Sequence, residues 1–396
     1  MRPRIKPLKR RTKATFIKRA VNMAASAQTG SPQRSDSDVD EEFIDDLSDM
    51  GIEGIETNST VPELFTASPP VRDTLPTATS YAQDATVREC VPLLAATDSD
   101  IDHNAHRVPS LLRDNHIKFL QKQLGRFPAP YVAADASRPW FLYWSLNALA
   151  LLGYDTAVYR EDLIKTVRTM QNPSGGIGGG HGQDSHLATT YAVVLALAIV
   201  GGEDAYEVID RKAMWKWLCS LKQPSGGIQM ALGGEVDVRG AYCAAVIVTL
   251  LSLPLDLSTD SPAWTPERPT LFTGLADYVR RCAIELEDQP SEASFTSHQG
   301  SLYSREGLIR YILPSDAYHT CYVLSGLSSA QHQWDLTYVN EDETILSEPK
   351  WVASPCAEGT QVFNEEDRVG TIHPVYTIPQ ESVDDMKAYF ASKQGF

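Results

Sequence analysis

Cysteine is scarce and scattered. The 396 residues hold six (Cys90, Cys219, Cys243, Cys282, Cys321 and Cys356), with no CxxC pair among them. That spacing excludes a disulfide scaffold, fits a reducing compartment, and leaves most of these thiols as small core residues. No apolar run reaches the ~18–20 residues that a bilayer-spanning helix needs, so an integral membrane protein is not expected. Basic charge is in deficit: 35 Lys and Arg stand against 51 Asp and Glu, a net of −16. Polyanions are held by basic surfaces, so nucleic acid is excluded as the main partner. Alternating strand segments of any length are absent too, which argues against a sheet-based core. What is present is 42% hydrophobic residues, enough for a sizeable core somewhere in the chain.

The charge deficit is uneven. Residues 1–35 carry ten Lys or Arg and no acidic residue, so the remainder stands at 25 basic against 51 acidic. The first twenty residues have no long apolar stretch and do not read as a secretory signal. A nuclear or mitochondrial address and a solvated tail are the alternatives, the tail being the simpler. From Thr29 to Asp102 the composition turns to Ser, Asp, Thr and Pro, as in SPQRSDSDVDEE, which cannot bury enough apolar surface to offset chain entropy. Residues 1–105 are therefore expected to be tail and linker, and residues 106–396 the folded body.

Within that body the pattern is helical. Leu112, Ile117, Leu120 and Leu124 share one helix face, and ASRPWFLYWSLNALALLG opens at Ser137 and runs apolar on all sides to Gly153. QNPSGGIGGG at 171–180 recurs as KQPSGGIQMA at 222–231, with Pro173 and Pro224 51 residues apart. Tyr191 and Tyr242, in the apolar helices that follow, are also 51 apart. A loop and a helix sharing one offset define a repeated helical hairpin, and one such unit cannot bury its face alone. The glycines end each first helix sharply, and their N–H groups open the next helix.

RPWFLYWSLNALALLG, GGHGQDSHLATTYA, GGEVDVRGAYCA, SDAYHTCYVLSGLSSAQH and HPVYTI occur in one order. Together they resemble the β subunit of protein farnesyltransferase, over roughly Arg107 to Tyr376. The resemblance implies an all-α fold, an α–α toroid of helical hairpins. It also implies a helical-repeat α subunit as heterodimer partner, a cytoplasmic location, farnesyl diphosphate as donor and CaaX-box proteins as acceptors. Zinc would ionise the acceptor thiol, with magnesium as a further ion. Carried over by position, Trp140, Trp144 and Tyr242 line the isoprenoid and peptide wall. Trp140, with Tyr322 beside it, limits isoprenoid length. Arg239 faces the substrates, Tyr318 contacts the peptide, and His319 is a zinc ligand.

One departure qualifies this. The family's remaining protein zinc ligands form an Asp-x-Cys, and no Cys here has Asp two residues before it. The stretch with the diphosphate-holding His and Arg/Lys pair is missing as well. LFTGLADYVRRC at 271–282 reads as the first helix of a third hairpin, yet no Gly-rich loop follows, and Tyr242 to Tyr322 spans 80 residues, no multiple of 51. Hairpin elements are therefore absent around 282–298, through a missing exon, an alternative transcript or true loss in an inactive homologue, and zinc and transfer are expected to suffer. The alternatives are a geranylgeranyltransferase type I β subunit, disfavoured by the bulk of Trp140, and a non-catalytic partner of the α subunit. A terpene cyclase would need an acidic motif inside the toroid, and the DDLSD at 45–49 lies in the linker.

Overall fold

The computed structural model describes scattered positions from 77 to 85 and residues 102–106, 108–127, 129–287, 316–338, 349–356 and 361–393. The basic tail, nearly all of the acidic linker and the stretch 288–315 lie outside the described residues. Two compact units divide the chain, Met1–Glu56 with Pro128–Asp135, and Thr57–Phe127 with Ala136–Phe396. The described part of the first is residues 129–135, within a 3-10 stretch with non-helical backbone at Ala134. All that follows concerns the second.

Four helices buried on most sides form its centre: α2 (Arg138–Leu151), α4 (Leu187–Val200), α6 (Val238–Leu250) and α8 (Ala317–Gln331). They lie side by side in the order α8, α2, α4, α6. In α4 every residue except Ala188 is buried, as its unbroken apolar sequence requires. Amphipathic helices pack outside them. α1 (Arg113–Gln123) buries His116 and Leu120, and α3 (Arg160–Met170) buries Leu163, Ile164, Val167 and Met170. α5 (Arg211–Leu221) buries Met214, Trp217, Leu218 and Leu221. α7 (Leu275–Glu287) packs on α6, and α9 (Gln380–Ser392) packs on α4 and α6.

The two Gly-rich turns are the same structure built twice. Gly175 N donates to Asn172 O and Gly226 N to Gln223 O, each at 2.9 Å. The bridge Gln171–Ile177 recurs as Lys222–Ile228, and Gly175 and Gly226 share φ = +95°. The turns also meet the next hairpin alike. A Cβ at Gly175 would lie 2.2 Å from Ala213 O in α5, and one at Gly226 would lie 2.1 Å from Gly274 O just before α7. No side chain fits between backbones at that separation. Leu187 N at the start of α4 donates to Met230 O beyond the second turn (2.7 Å), so both turns sit at one end of the helix layer, as the shared offset predicts.

The opposite end is tied by arginines. Arg113 Nη1 donates to Leu152 O, Arg160 Nε and Nη2 to Val200 O, and Arg211 Nε to Leu251 O. Each begins an outer helix and reaches 39 or 40 residues on, to the carbonyls that a helix C-terminus leaves without partners and where its dipole favours a cation. Arg160 and Arg211, like Val200 and Leu251, are again 51 apart.

Two expectations are revised. Ser137 does occupy the N-cap of α2, with Pro139 in the first turn, but its side chain makes no capping bond. Strands are present: β1 (His332–Tyr338) and β2 (Pro349–Pro355) pair antiparallel, Leu336 opposite Trp351. Trp334, Leu336 and Tyr338 do alternate with polar residues, but the alternation is three apolar positions long and follows a helix without a break.

Replacing Gly226 by Ala combines a positive φ with a backbone clash and is expected to cost about 2–4 kcal/mol. Gly233, at φ = +73° with nothing within 4 Å of its would-be Cβ, is the control, and Ala there should cost about 1 kcal/mol. Urea unfolding of the two variants against the parent measures the difference.

Candidate functional site

The ends of α2, α4, α6 and α8 nearest the Gly-rich turns carry an aromatic cluster. Trp140 and Trp144, one helical turn apart on α2, stack at 5.5 Å between ring centroids. Trp140 also meets Tyr143 (6.1 Å) and Tyr191 of α4 (5.9 Å), and Tyr191 meets Tyr242 of α6 (5.7 Å). On the other side Trp144 meets Tyr318 of α8 edge-on (5.1 Å), and Tyr318 meets Tyr322 (4.9 Å). The path from Trp140 to Tyr322 thus runs through Trp144 and Tyr318. Tyr143 and Tyr191, which pack on each other (6.2 Å) on the Trp140 side, are not among the wall residues that the resemblance implies. Their signal was available, because Tyr191 stands 51 residues before Tyr242.

Burial pushes the hydroxyls of Tyr143, Tyr191, Tyr242 and Tyr322 above their usual pKa, so all four are neutral donors at physiological pH. Tyr242 donates to Val375 O (2.7 Å) and remains 43% exposed, the most open ring of the cluster that also reaches its centre. Such a wall suits a flat or extended apolar ligand, with a few polar atoms to orient it.

Capping residues bring charge to the rim. Helices α4, α6 and α8 are capped by His186, Asp237 and Asp316, whose side chains accept from Ala188 N, Arg239 N and His319 N. His186 and Asp237 keep the offset of 51. Counting five residues on from each cap gives Tyr191, Tyr242 and Cys321, so the residue matching the two tyrosines is Cys321 and not Tyr322. The interval from Asp237 to Asp316 is 79 residues, still no multiple of 51.

Arg239 lies in the first turn of α6, its side chain 70% exposed, and grips Asp237 Oδ2 through Nε (3.0 Å) and Nη2 (2.7 Å). This hydrogen-bonded partner holds the Asp237 carboxyl below its ordinary pKa and the guanidinium above its own. His319 Nδ1 faces Asp316 Oδ2 at 2.7 Å. A carboxylate can only accept, so Nδ1 carries a proton, and in the neutral form of the ring Nε2 is the nitrogen with the lone pair, the tautomer in which a histidine binds a metal. The sequence alone pointed to neither Asp as a partner, although both stand two or three residues ahead of the basic side chain they hold.

The residues around His319 do not complete a zinc site. Among the described residues, no three His, Cys, Asp or Glu side chains come together to hold a metal. Cys321 is fully buried, its sulfur accepts from Asn147 Nδ2 (3.4 Å), and burial pushes its thiol up to about 12. It is protonated at neutral pH and sits away from His319, as two residues apart on a helix requires.

These motifs have matches among known proteins. The family model of the prenyltransferase alpha-alpha toroid domain matches residues 111–304 and 295–378. A protein farnesyltransferase subunit beta from Pyricularia oryzae is 43% identical over 474 residues, covering 93% of this chain and 91% of that protein. The chain belongs to the protein farnesyltransferase β-subunit family. The subunit beta of Schizosaccharomyces pombe is 28% identical over 70% of this chain and 90% of its own length. That of Saccharomyces cerevisiae is 36% identical over 44% and 38%.

The segment 371–380 closes over the cluster. Asn147 Nδ2 donates to Thr377 O (3.0 Å), and the Tyr376 hydroxyl donates to Thr249 Oγ1 (2.9 Å). His373 lies 4.6 Å from the Tyr376 ring, and burial lowers its pKa from 6.5 to about 4. It is neutral when folded, whereas the unfolded chain takes up a proton as the pH falls below about 6.5. Stability should therefore decline from pH 6.5 toward pH 4 and lose no more from this group below that. Chemical denaturation across the range should show a shallower decline in His373→Gln.

Proposed function

We propose that this chain is a β subunit of protein farnesyltransferase that keeps the aromatic part of its isoprenoid wall, breached where hairpins are missing, and lacks the thiol-activating half. In a complete enzyme of this kind, farnesyl passes from farnesyl diphosphate to the cysteine of a C-terminal CaaX motif. The observation that carries the reading is the aromatic cluster on α2, α4, α6 and α8, in a chain 43% identical over 93% of its length to a protein farnesyltransferase subunit beta. In this reading Trp140, Trp144 and Tyr242 lie along the hydrocarbon and exclude water from the reacting carbon. The stacked bulk of Trp140 on Trp144 stops a chain longer than farnesyl. Tyr318 orients the acceptor peptide, and Arg239, placed at the rim, compensates negative charge there.

Zinc, when bound in such enzymes, supplies a thiolate at neutral pH. His319 presents a suitably prepared Nε2 for it, but the chain has no Asp-x-Cys to supply the other protein donors. Without a metal the acceptor thiol, with an ordinary pKa near ~8.5, stays mostly protonated and is a weak nucleophile. The absence of an Arg/Lys clamp also leaves charge on the departing diphosphate uncompensated.

Two findings support an internal gap. The alignment with the Pyricularia oryzae protein runs over 474 residues, more than this whole chain contains, so that relative carries stretches facing none here. The family model matches twice, the second match restarting at 295 before the first ends at 304. We place the partner helical-repeat α subunit, the CaaX acceptors and a cytoplasmic location in the same proposal. No helix of the described residues is long and apolar enough to cross a membrane.

Co-expression with an α subunit, followed by metal analysis and a farnesyl-transfer assay on a CaaX peptide, tests this. The expected result is far less than one zinc per heterodimer and turnover reduced by several powers of ten, both repaired by restoring the missing hairpins. Stoichiometric zinc with normal turnover overturns it. In the repaired enzyme, Trp140→Thr should shift donor preference toward geranylgeranyl diphosphate in direct competition, and unchanged preference removes Trp140 from the length-limiting role.

A further inference from the structure

The two Gly-rich turns share their backbone but not their charge. In the first turn the polar contacts come from neutral groups. Ser185 Oγ donates to Gly175 O (2.7 Å), and Asn172 Nδ2 donates to Gln183 O and Ser185 Oγ, each at 2.9 Å. In the second turn three successive carbonyls are held by three cations. Arg268 Nη1 donates to Pro224 O, Arg281 Nη2 to Ser225 O (2.6 Å), and Lys222 Nζ to Gly226 O (2.7 Å). Gly226 O is the counterpart of Gly175 O at the offset of 51, so an ammonium stands where a serine hydroxyl suffices in the first repeat.

Nothing in the described structure balances these charges. Among the described residues none of the three cations is paired with a carboxylate. Lys222 is 2% exposed, and burial, followed by the charge of Arg268, lowers its pKa to about 8. A lone buried ammonium is costly, and the Arg268 guanidinium near it adds repulsion. The first turn shows that this backbone forms without any of them. The turn needs no cation, but an anion lodged against it would use all three. Both arginines are exposed and spend one nitrogen each on a carbonyl, leaving further N–H groups of each fork for a planar or tetrahedral oxyanion. Ser225 is exposed on the same turn, and its own carbonyl is the one Arg281 grips.

We propose that Lys222, Arg268 and Arg281 form a phosphate-binding site on the second Gly-rich turn, taking a phosphoryl group either free in solution or carried on the Ser225 hydroxyl. In the second case a protein kinase transfers the γ-phosphoryl of a nucleoside triphosphate. The Ser225 Oγ–P bond forms as the bond from phosphorus to the β,γ-bridging oxygen breaks. The nucleoside diphosphate leaves with that oxygen, and the hydroxyl proton passes to the kinase's base. The site is separate from the aromatic cluster and does not rest on the transfer reaction proposed above.

The test uses the full chain in two forms, one with serine and one with phosphoserine encoded at position 225. Inorganic phosphate is titrated against each and followed by thermal unfolding and phosphorus NMR, with sodium chloride at matched ionic strength as reference. Phosphate raising the unfolding midpoint of the serine form, while the phosphoserine form is already raised and no longer responds, establishes one site open to both sources. A response to free phosphate alone, or stabilisation by phosphoserine alone, assigns the source. Arg281→Gln should weaken phosphate binding about tenfold, the loss of one charge-assisted contact. The Arg268→Gln/Arg281→Gln variant should lose the response. Because that double variant also gives up two turn contacts, the single variant keeps the test open should the double one fail to fold. No response in either form, or an equal response in Arg281→Gln, overturns the proposal.

Discussion

Everything in the helix layer depends on how closely one backbone approaches the next at the Gly-rich turns. At 2.1–2.2 Å from a would-be Cβ to a carbonyl oxygen, the turn and the following outer helix fit in one register only. The arginine ties at the far end fix the same hairpins a second time, through carbonyls that would otherwise be left without partners. Pinned at both ends, α2, α4 and α6 cannot slide along one another. Their aromatic residues therefore come to one level, and the cluster from Trp140 to Tyr242 is a product of that alignment more than of attraction between rings. Ring contacts of this kind add roughly 0.5–1.5 kcal/mol each beyond burial, too little to set the register of helices 13 or 14 residues long.

Much of this was legible in the sequence because the repeat is strict. One offset of 51 links Pro173 to Pro224, Gly175 to Gly226, His186 to Asp237, Tyr191 to Tyr242 and Arg160 to Arg211. The loops and the tyrosines show the repeat in the sequence itself, whereas a helix-opening arginine resembles any solvated charge until its carbonyl partner is seen. Where the repeat fails, so did the reading. The helix α8 was aligned by its tyrosine, whereas its cap aligns Cys321 with the earlier tyrosines. The β1–β2 pair escaped notice because three alternating apolar residues following a helix carry little periodicity. The residues named by resemblance lie on α2, α6 and α8, and the partners of Arg239 and His319, Asp237 and Asp316, are visible only in three dimensions.

The two capping aspartates show how one local device serves different chemistry. Each accepts from a free N–H group that opens a central helix, and each turns its second oxygen to a basic side chain two or three residues along. With Arg239 the result is an ion pair at the surface, whereas with His319 it is an imidazole held in a single tautomer. A helix start is where such a pair costs least, because the carboxylate is already favoured by the dipole and its partner is held within reach. The rim of the aromatic cluster is thus lined by groups whose orientation is set by capping and not by the cluster itself.

The pinning also has a direction in time. Gly175 is enclosed by α5 and Gly226 by the approach to α7, so each turn is completed by chain that is synthesised later. The carbonyls at Leu152, Val200 and Leu251 likewise follow the arginines that claim them. A chain leaving the ribosome therefore always carries one open turn at its growing end and finishes the turn behind it as the next helix emerges. Assembly can advance hairpin by hairpin from the amino terminus, and no hairpin is sealed until its successor exists.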